Sequence, residues 1–328
     1  MLLLFIAALL GTLLLTVPLT RYLIPRLASR KLGQTILEIG PRWHKNKEGT
    51  PTMGGLSFLF AVCIVGAALC FVLVRFYGLQ SSLSLILTLL FALGNSIVGV
   101  VDDLTKFRHH RNEGLSPMQK LVLQLTFAAA YLALMRLYGF IDTAITLPYA
   151  NVRLELGFAY YFFAMLLILW AVNCVNLTDG IDGLAASVTF LVAVLFTVVA
   201  GIVSNPGLLV LGGCIIGATL GFLVYNFHPA RIFMGDTGSL FLGGLVTGAA
   251  FMINYPLLIL YFGIVYTLEG VSDVLQVAVY KLTKKRLFRM APLHHHFEQC
   301  GLGEVQIVFL FCGITLLAGL LTIPAFIL

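Results

Sequence analysis

Charged side chains are scarce in this sequence. Asp, Glu, Lys and Arg make up 10% of its 328 residues, whereas soluble globular domains carry about 25%. With 60% apolar residues, the chain has too few charges to surround an apolar core with a polar surface, so most of its surface must face lipid. The composition therefore excludes a soluble globular enzyme, and it equally excludes a disordered or collagen-like chain.

Cysteine is also sparse, and its spacing is not that of a metal site or a disulfide framework. The six cysteines are scattered without a CxxC pair, and most of them lie inside apolar runs: Cys63, Cys70, Cys174, Cys214, Cys300 and Cys312. We predict that they are small core residues. The net charge of +6 does not indicate nucleic-acid binding, which requires a basic face on a soluble domain. In a membrane protein such an excess reports topology.

Long apolar runs are what the sequence has instead. Ten are long enough to cross about 30 Å of hydrocarbon at about 1.5 Å per residue. They lie at about 1–24, 53–76, 83–101, 118–138, 158–175, 184–203, 207–225, 238–254, 256–280 and 305–328. We predict an all-α polytopic membrane protein of about ten transmembrane helices, forming a single domain over 1–328. The first run lacks a basic leader and a small-residue cleavage site, so we expect it to be a retained span.

The basic residues predict the orientation of these spans. Assigned to the nearer end of a run, 17 of the 20 basic residues fall in or beside five connections: 25–52, 102–117, 176–183, 226–237 and 281–304. Basic connections stay in the cytoplasm, so we expect both termini to lie outside. On the outer side, apolar positions alternate within 139–157 around Pro148-Tyr149-Ala150-Asn151, which predicts a small β-hairpin.

Carboxylates gather on the same predicted cytoplasmic face. Asp102 and Asp103 end the third run, Asp179 and Asp182 precede the sixth, and Asp236 opens the eighth. Capping of a helix N-terminus is an alternative explanation for Asp179 and Asp236. It does not suit Asp102 and Asp103, because adjacent carboxylates at a helix C-terminus oppose the helix dipole and repel each other. This pair needs a cation.

Mg²⁺ is the cation that fits these residues best. It takes one or two protein carboxylates and completes its shell with substrate phosphates and water. Gly180 and Gly183 flank Asp182, and Gly235 and Gly238 flank Asp236, so phosphate can approach backbone N–H groups there. The pattern predicts metal-assisted phosphoryl chemistry.

Further polar residues on this face are candidate substrate ligands. Lys47, shortly before Thr52 and a glycine pair, is the lysine we favour as a phosphate ligand, with Lys120 as a second candidate. We expect the other basic residues of these connections to meet anionic lipid headgroups. The amides near the carboxylates either cap helix C-termini or bind a nucleotide or sugar; they are Asn173, Asn176 and Asn226.

The seven histidines all fall on this face as well. Consecutive residues cannot all aim at one ion, so we expect one or two of His294, His295 and His296 to contact phosphate or sugar rather than zinc. His109 and His110 fit a solvated loop, and His228 fits either environment. On the ninth run, Glu269, Asp273 and Gln276 lie on one face of the predicted helix. We expect this helix either to line the site or to bend at Gly270.

Five segments together closely resemble the phospho-N-acetylmuramoyl-pentapeptide transferase family over nearly the whole chain. They are PTMGG (51–55), VVDDLTK (100–106), NLTDGIDGLA (176–185), YNFHPARIFMGDTGSL (225–240) and APLHHHFE (291–298). The paired Asp, NxxDGxDG and GDxGS motifs are shared with the wider polyprenyl-phosphate sugar-1-phosphate transferase superfamily. PTMGG and LHHHFE indicate the muramoyl-pentapeptide branch.

The resemblance implies a reaction in a bacterial cytoplasmic membrane, carried out by a homodimer. Undecaprenyl phosphate would attack the β-phosphate of UDP-N-acetylmuramoyl-pentapeptide and release UMP. Asp236 would bind Mg²⁺, Asp102 would deprotonate the lipid phosphate, and Asp103 would support the metal or the pyrophosphate. Positions matching nucleoside, sugar or inhibitor contacts are Lys47, Thr52, Asn176, Asp179, Asp182, Asn226, Phe233, Gln276 and His296. Phe233 would stack on uracil, although aromatic residues at a membrane face also serve as anchors.

Two other functions compete with this interpretation. A sister enzyme that uses UDP-N-acetylglucosamine shares the superfamily motifs. An ion-coupled transporter or a channel also carries acidic residues in its spans, but near the middle of the bilayer. Apart from Glu269 and Asp273, the acids here lie at the ends of the runs, which favours the transferase.

Overall fold

The computed structural model describes residues 1–29, 47, 49–108, 114–150 and 152–326. The predicted solvated loop at His109 and His110 lies outside the described residues. Within them the chain forms twelve α-helices, one hairpin and a final 3₁₀ turn, Ile323–Phe326. The helices are α1 Leu2–Ser29, α2 Gly55–Tyr77, α3 Leu79–Arg108, α4 Pro117–Leu137, α5 Ala159–Thr178, α6 Leu184–Ile202, α7 Pro206–Asn226, α8 Gly235–Phe251, α9 Leu258–Phe262, α10 Ile264–Thr283, α11 Leu293–Gln299 and α12 Glu304–Thr322.

Local signals define several helix starts. Ser116 accepts from the backbone N–H of Gln119, whose side chain accepts in return from the backbone N–H of Ser116, and Pro117 follows as the first helical residue of α4. Asn205 accepts from the N–H of Leu208 at 3.0 Å and is also followed by proline. These caps satisfy N–H groups that a helix leaves without partners, and proline lacks the N–H that would need one.

The all-α membrane architecture is confirmed. Within the described ranges, eight helices are long and apolar enough to cross a membrane: α1 to α7 and the segment from Glu304 to Phe326. The predicted run 238–254 is α8, which has 17 residues. The predicted run 256–280 is divided at Gly263 into α9 and α10.

Of the two alternatives for the ninth run, a helix that lines the site or one that bends at Gly270, the helix is continuous through Gly270. Gly270 lies inside α10, where a β-carbon would come within 2.3 Å of the Cys174 sulfur. A glycine is therefore needed there for close packing of α10 on α5, and the helix is interrupted six residues before Glu269, at Gly263.

Helix α3 extends further than its apolar run. It continues to Arg108, so Asp102 and Asp103 lie within its last turns rather than at its end. Lys106 and Arg108 in the last turn favour this extension, because cations stabilise a helix C-terminus. Lys106 also lies one turn beyond Asp102, a favourable spacing for an acid followed by a base.

The predicted hairpin is confirmed. Strands β1, Ala144–Leu147, and β2, Val152–Glu155, pair antiparallel, with Ala144 opposite Glu155. Arg153 on β2 pairs with Asp142 at 2.6 Å before the first strand. The turn between the strands contains Tyr149 in the left-handed region, with φ of 68°.

The cysteines only partly match the prediction of core residues. All six are free; Cys70, Cys174 and Cys214 are buried, and Cys63 and Cys312 are half-buried. Cys300 is exposed, because it follows the short helix α11 rather than lying inside an apolar helix.

Helix α8 lies at the centre of the bundle and runs antiparallel to α3 in a register set by small residues. A β-carbon on Gly244 would lie 2.7 Å from the Ala92 Cα, and one on Gly248 would lie 2.4 Å from Thr88. At the other end, a β-carbon on Gly99 would lie 2.2 Å from the Asp236 carbonyl oxygen. The contact therefore brings the end of α3, with its two acids, beside the start of α8.

Helix α1 also packs closely against glycines, in this case those of α7, and this contact gives a stability prediction. A β-carbon on Gly217 would lie 2.3 Å from the Leu9 carbonyl oxygen, so we expect Gly217→Ala to destabilise the protein by about 1–3 kcal/mol, the usual cost of overpacking. Thermal unfolding in detergent measures it. Gly313→Ala on α12 is the control, because nothing lies within 4 Å of its added carbon. Equal unfolding temperatures for the two variants would contradict the close contact.

Candidate functional site

Two carboxylates from different helices share two lysines. The Asp102 Oδ2 atom lies 2.7 Å from the Lys106 ammonium and 3.0 Å from that of Lys120. The Asp236 Oδ2 atom meets the same two ammonium groups at 3.1 and 2.7 Å. Asp102 is fully buried, and its other oxygen accepts from the Leu115 N–H at 2.8 Å. Two lysine ammonium groups thus lie beside both Asp102 and Asp236.

Asp103 caps the start of α8 from the neighbouring helix. Its two oxygens accept from the backbone N–H groups of Asp236 and Thr237 at 3.2 and 2.9 Å, and from the Thr237 hydroxyl at 2.7 Å. These N–H groups have no partner inside α8, and the positive end of the helix dipole favours an anion here. The alternative explanation, in which the Asp236 side chain caps its own helix, does not hold, because its carboxylate faces the lysines instead. Asp103 fixes where Asp236 lies.

The PTMGG segment binds the GDTGS segment through backbone atoms. Phe233 N–H donates to the Pro51 carbonyl at 2.8 Å, Gly54 N–H donates to the Phe233 carbonyl at 2.8 Å, and Gly55 N–H donates to the Met234 carbonyl at 3.0 Å. A β-carbon on Gly55 would lie 2.2 Å from the Gly238 Cα, so the glycine allows the approach. The ladder holds Thr52 beside Gly235 and leaves the Phe233 ring half-buried.

The end of α5 joins the same cluster. The Asn176 side-chain amide donates to Asp236 Oδ1 at 3.0 Å and to the Ser239 hydroxyl at 2.7 Å. Asp179 follows α5 directly and does not cap α6, which begins at Leu184. Desolvation raises the pKa of the half-buried Asp179 carboxyl well above its usual range, and the nearby Asp236, Asp103 and Asp182 add to this rise.

A second ionic cluster forms around Lys47. Its ammonium lies 2.7 Å from Asp182 Oδ1 and 2.6 Å from Glu304 Oε2. Glu304 also accepts from the Asp182 backbone N–H at 2.9 Å. The second Asp182 oxygen accepts from the Ala230 N–H at 2.9 Å and lies 3.1 Å from His228 Nδ1. Lys47 and Asp182 are therefore brought together, and His228 belongs to their cluster.

Three of the predicted amides hold other parts of the protein. Asn173 pairs with Gln124 on α4, donating to its oxygen at 2.9 Å. Asn226 donates to the Ile232 carbonyl at 2.9 Å and so closes the loop after α7. Gln276 accepts from the N–H groups of Leu287 and Phe288 at 3.0 and 2.9 Å. Each of these contacts positions a segment next to the clusters.

The three consecutive histidines have different partners, as their spacing requires. His294 is buried against Glu269 of α10, with its Nδ1 atom 3.0 Å from the carboxylate. His295 lies 2.6 Å from Glu298. His296 accepts from the Arg289 backbone N–H at 3.2 Å. The buried stripe residue Glu269 thus connects α10 to α11.

Sequence reasoning did not select Lys106 or Glu304 as site residues, and it placed Glu269 on a stripe lining the site without its partner His294. For Lys106 a signal existed, because it follows Asp102 by four residues on one helix. The partner of Glu304 is Lys47, 257 residues earlier in the chain, and the partner of Glu269 is His294, 25 residues later. Spacing within a helix cannot reveal such partners.

The donor atoms of Asp102, Asp103 and Asp236 suit a metal ion. One oxygen from each lies within 4.8 Å of the others, and carboxylate oxygens are ligands for hard cations. Oxygens of Asp102 and Asp236 contact lysine ammonium groups, and an Asp236 oxygen also accepts from the Asn176 amide, whereas both Asp103 oxygens accept from the start of α8. Asp182, His228 and Glu304 form a second such group, but the Lys47 ammonium already contacts two of its three members.

Comparison with known proteins identifies the family. The model for glycosyl transferase family 4 matches residues 82–254, and a phospho-N-acetylmuramoyl-pentapeptide-transferase signature matches residues 47–59. A phospho-N-acetylmuramoyl-pentapeptide-transferase of Staphylococcus haemolyticus is 39% identical over 97% of this chain and 98% of the relative. The chain belongs to the phospho-N-acetylmuramoyl-pentapeptide-transferase family.

Further relatives of the same name agree. The Staphylococcus aureus (strain bovine RF122 / ET3-1) member is 38% identical over 97% of both chains. The Staphylococcus epidermidis member is 39% identical over 94% of this chain and 95% of the relative. In this member of the transferase family, the signature at 47–59 contains both Lys47 and the PTMGG ladder, so the matched motif is a structural part of the site.

The cluster around Lys47 gives a prediction about stability. Lys47→Met leaves the Asp182 and Glu304 carboxylates, 2% and 12% exposed, without their shared cation, and we expect a lower unfolding temperature. Adding Glu304→Gln removes one of the two negative charges that repel each other once the lysine is gone. It should restore part of the lost stability, with a coupling energy of about 0.5–3 kcal/mol.

Thermal unfolding of the two single variants and the double variant measures this coupling. The control is Lys281→Met, which removes an exposed lysine at the end of α10. If the effects of Lys47→Met and Glu304→Gln simply add, the two side chains do not interact in the folded protein.

Proposed function

We propose that this transferase moves phospho-N-acetylmuramoyl-pentapeptide from its UDP carrier to undecaprenyl phosphate, which yields lipid I and UMP for peptidoglycan synthesis. Family membership supports the reaction. One observation supports this cluster as the site of the reaction: Asp102 and Asp236, from two separate motifs, share Lys106 and Lys120. Buried carboxylates beside two ammonium groups offer acidic and basic partners for pyrophosphate chemistry.

The residues suggest how the substrates bind and react. Substrate phosphates compete for the ammonium groups of Lys106 and Lys120, and Asp102 is released from its ion pairs as they bind. Asp102 then accepts the proton of the lipid phosphate. An oxygen of that phosphate attacks the β-phosphorus, the bond from this phosphorus to the bridging oxygen breaks, and UMP leaves with that oxygen. Holding both substrates in line contributes much of the acceleration.

Mg²⁺ is the proposed cofactor. Asp236 would hold it through oxygens that now face lysine ammonium and the Asn176 amide, and Asp103 would keep Asp236 in place. When bound, the ion neutralises negative charge on the transferring pyrophosphate. The fit rests on hard carboxylate donors within 4.8 Å of one another.

Several predicted ligands keep a proposed role in substrate binding. Thr52, Asp179 and the Phe233 ring lie around the start of α8 and are half-buried. The same region is approached by three further residues: Lys47 contacts Asp182, Asn176 contacts Asp236, and His294 lies against the loop after α5. We propose that Asn173, Asn226 and Gln276 act indirectly, by holding α4, the loop after α7 and the loop after α10.

We further propose that the site faces the cytoplasm of a bacterial cell and that the enzyme works as a homodimer in the cytoplasmic membrane. The supporting observation for the orientation is charge, because 17 of the 20 basic residues fall on the predicted cytoplasmic side. A soluble nucleotide sugar and a membrane lipid can meet there. The single domain over 1–328 is part of the same proposal.

A substrate assay separates this function from the sister reaction and from transport. With undecaprenyl phosphate and Mg²⁺, we expect UMP release from UDP-N-acetylmuramoyl-pentapeptide and none above background from UDP-N-acetylglucosamine. Chelation of the metal should abolish the release. UMP release only from UDP-N-acetylglucosamine would assign the sister reaction, and no release from either would contradict a transferase.

The proposed base gives a second prediction. Asp102→Asn retains an oxygen for the Leu115 N–H but cannot accept the proton, so we expect turnover to fall by about 10²- to 10⁴-fold while the nucleotide sugar still binds. Initial rates of UMP release and equilibrium binding measure the two effects. Asp142→Asn, which changes a carboxylate on the hairpin beside Arg153, is the control. A variant of Asp102 that no longer binds the nucleotide sugar would overturn the assignment as a base.

A further inference from the structure

The two oxygens of the Asp102 carboxylate have partners of different kinds. Oδ1 accepts a hydrogen bond from the Leu115 backbone N–H at 2.8 Å. Oδ2 lies 2.7 Å from the Lys106 ammonium and 3.0 Å from that of Lys120, but both lysines donate their hydrogen bonds to Asp236 instead. Among the residues that the structure describes, none donates a hydrogen bond to the buried Oδ2 atom. One oxygen is therefore held by a donor, and the other has only ion pairs.

The turn before α4 lies directly against this carboxylate. A β-carbon on Gly114 would lie 2.4 Å from Asp102 Oδ1 and 2.8 Å from the Asp102 carbonyl oxygen, so only a residue without a side chain can approach this closely. The φ angle of Gly114 is not in the left-handed region. The glycine is therefore required by its contact with Asp102 and not by its backbone conformation.

The start of α4 fixes the direction of the Leu115 N–H. Ser116 and Gln119 each accept from the backbone N–H of the other, which anchors the first turn of the helix. The same segment carries Lys120 to Oδ2. The two kinds of donor differ in mobility, because a backbone N–H cannot leave while α4 stays folded, whereas an ammonium group lies at the end of a flexible stem. Substrate phosphates can therefore displace the partners of Oδ2 but not the partner of Oδ1.

We propose that Gly114 and the Leu115 N–H form a positioning element, which holds Asp102 by Oδ1 and so directs Oδ2 alone at the lipid phosphate. The inference rests on the proposed function, because the role of Asp102 toward the lipid phosphate comes from it. As substrate phosphates draw the two lysines away, Oδ2 is exposed to the lipid phosphate while Oδ1 keeps its donor. The carboxylate therefore exchanges partners on one side without turning.

Gly114→Ala tests the close contact. The added β-carbon would occupy the space of Oδ1, so either the carboxylate or the turn must shift. We expect the kcat of UMP release to fall about ten- to a hundredfold, the cost of misplacing a reacting group by about 1 Å, while the KM for UDP-N-acetylmuramoyl-pentapeptide is unchanged. Gly201→Ala on α6 is the matched control, because nothing lies within 4 Å of its added carbon.

Removing the donor alone tests the hydrogen bond without adding bulk. With the α-hydroxy analogue of leucine at position 115, an ester oxygen replaces the N–H, and we expect kcat to fall about ten- to a hundredfold, the worth of a hydrogen bond to a charged group. The same exchange at Met118 is the control, because an N–H in the first turn of a helix has no acceptor inside that helix. Thermal unfolding identifies any variant that fails to fold, and the ester then tests the contact in place of Gly114→Ala.

A double variant shows whether Gly114 acts through Asp102. In Asp102→Asn the group that would be misplaced has already lost its function, so adding Gly114→Ala should lower kcat no further. Additive losses would mean that Gly114 acts elsewhere and would overturn the inference. A Gly114→Ala variant with the kcat of wild type, or one that changes only the KM, would overturn it as well.

Hydrogen exchange at the Leu115 amide separates this inference from the proposed function, because it needs no turnover. We expect slow exchange in wild type and faster exchange in Asp102→Ala, which removes the acceptor of this N–H. Equal exchange rates would overturn the positioning contact. If Asp102→Asn released UMP as fast as wild type, the proposed base would fail, while the exchange rates still tested the contact.

Discussion

The close antiparallel contact of α3 and α8 is the constraint on which the site depends. Between helices in lipid there is little hydrophobic driving force, so association relies on close packing of small residues. Gly244 against Ala92 and Gly248 against Thr88 set the distance and the register. At the end of this contact, Asp103 accepts from the backbone N–H groups and the Thr237 hydroxyl at the start of α8, and Asp102 contacts the same lysines as Asp236.

The charges at the site are balanced by neighbours that the substrates can replace. Lys106 and Lys120 each contact both Asp102 and Asp236, so neither carboxylate depends on one cation. In the proposed reaction, phosphate groups take over the lysines, a divalent ion takes over Asp236, and Asp102 takes up a proton. Both exchanges keep each buried charge paired, which avoids the large cost of an isolated ion away from water.

The sequence predicted features that depend on local pattern, and it missed those that depend on distant partners. Apolar runs predicted the helices, and alternation around Pro148 and Tyr149 predicted the hairpin. The motifs carrying Asp102, Asn176 and Asp236 were correctly expected to meet. The capping of α8 by Asp103 could not be read from spacing, because a helix start can be capped from its own chain or from another helix. The same limit applies to Glu304 beside Lys47 and to Glu269 beside His294.

The contact between Lys47 and Glu304 also has a consequence for the order in which the protein is made. Synthesis proceeds from the N-terminus, so Lys47 and Asp182 both exist before the chain reaches Glu304, and eleven of the twelve described α-helices precede Glu304 in the chain. Until α12 begins, the Asp182 backbone N–H and one side of the Lys47 ammonium lack the acceptor that they have in the finished protein. The last helix thus completes a contact with one of the earliest described loops, and the site closes only when almost the whole chain has been translated.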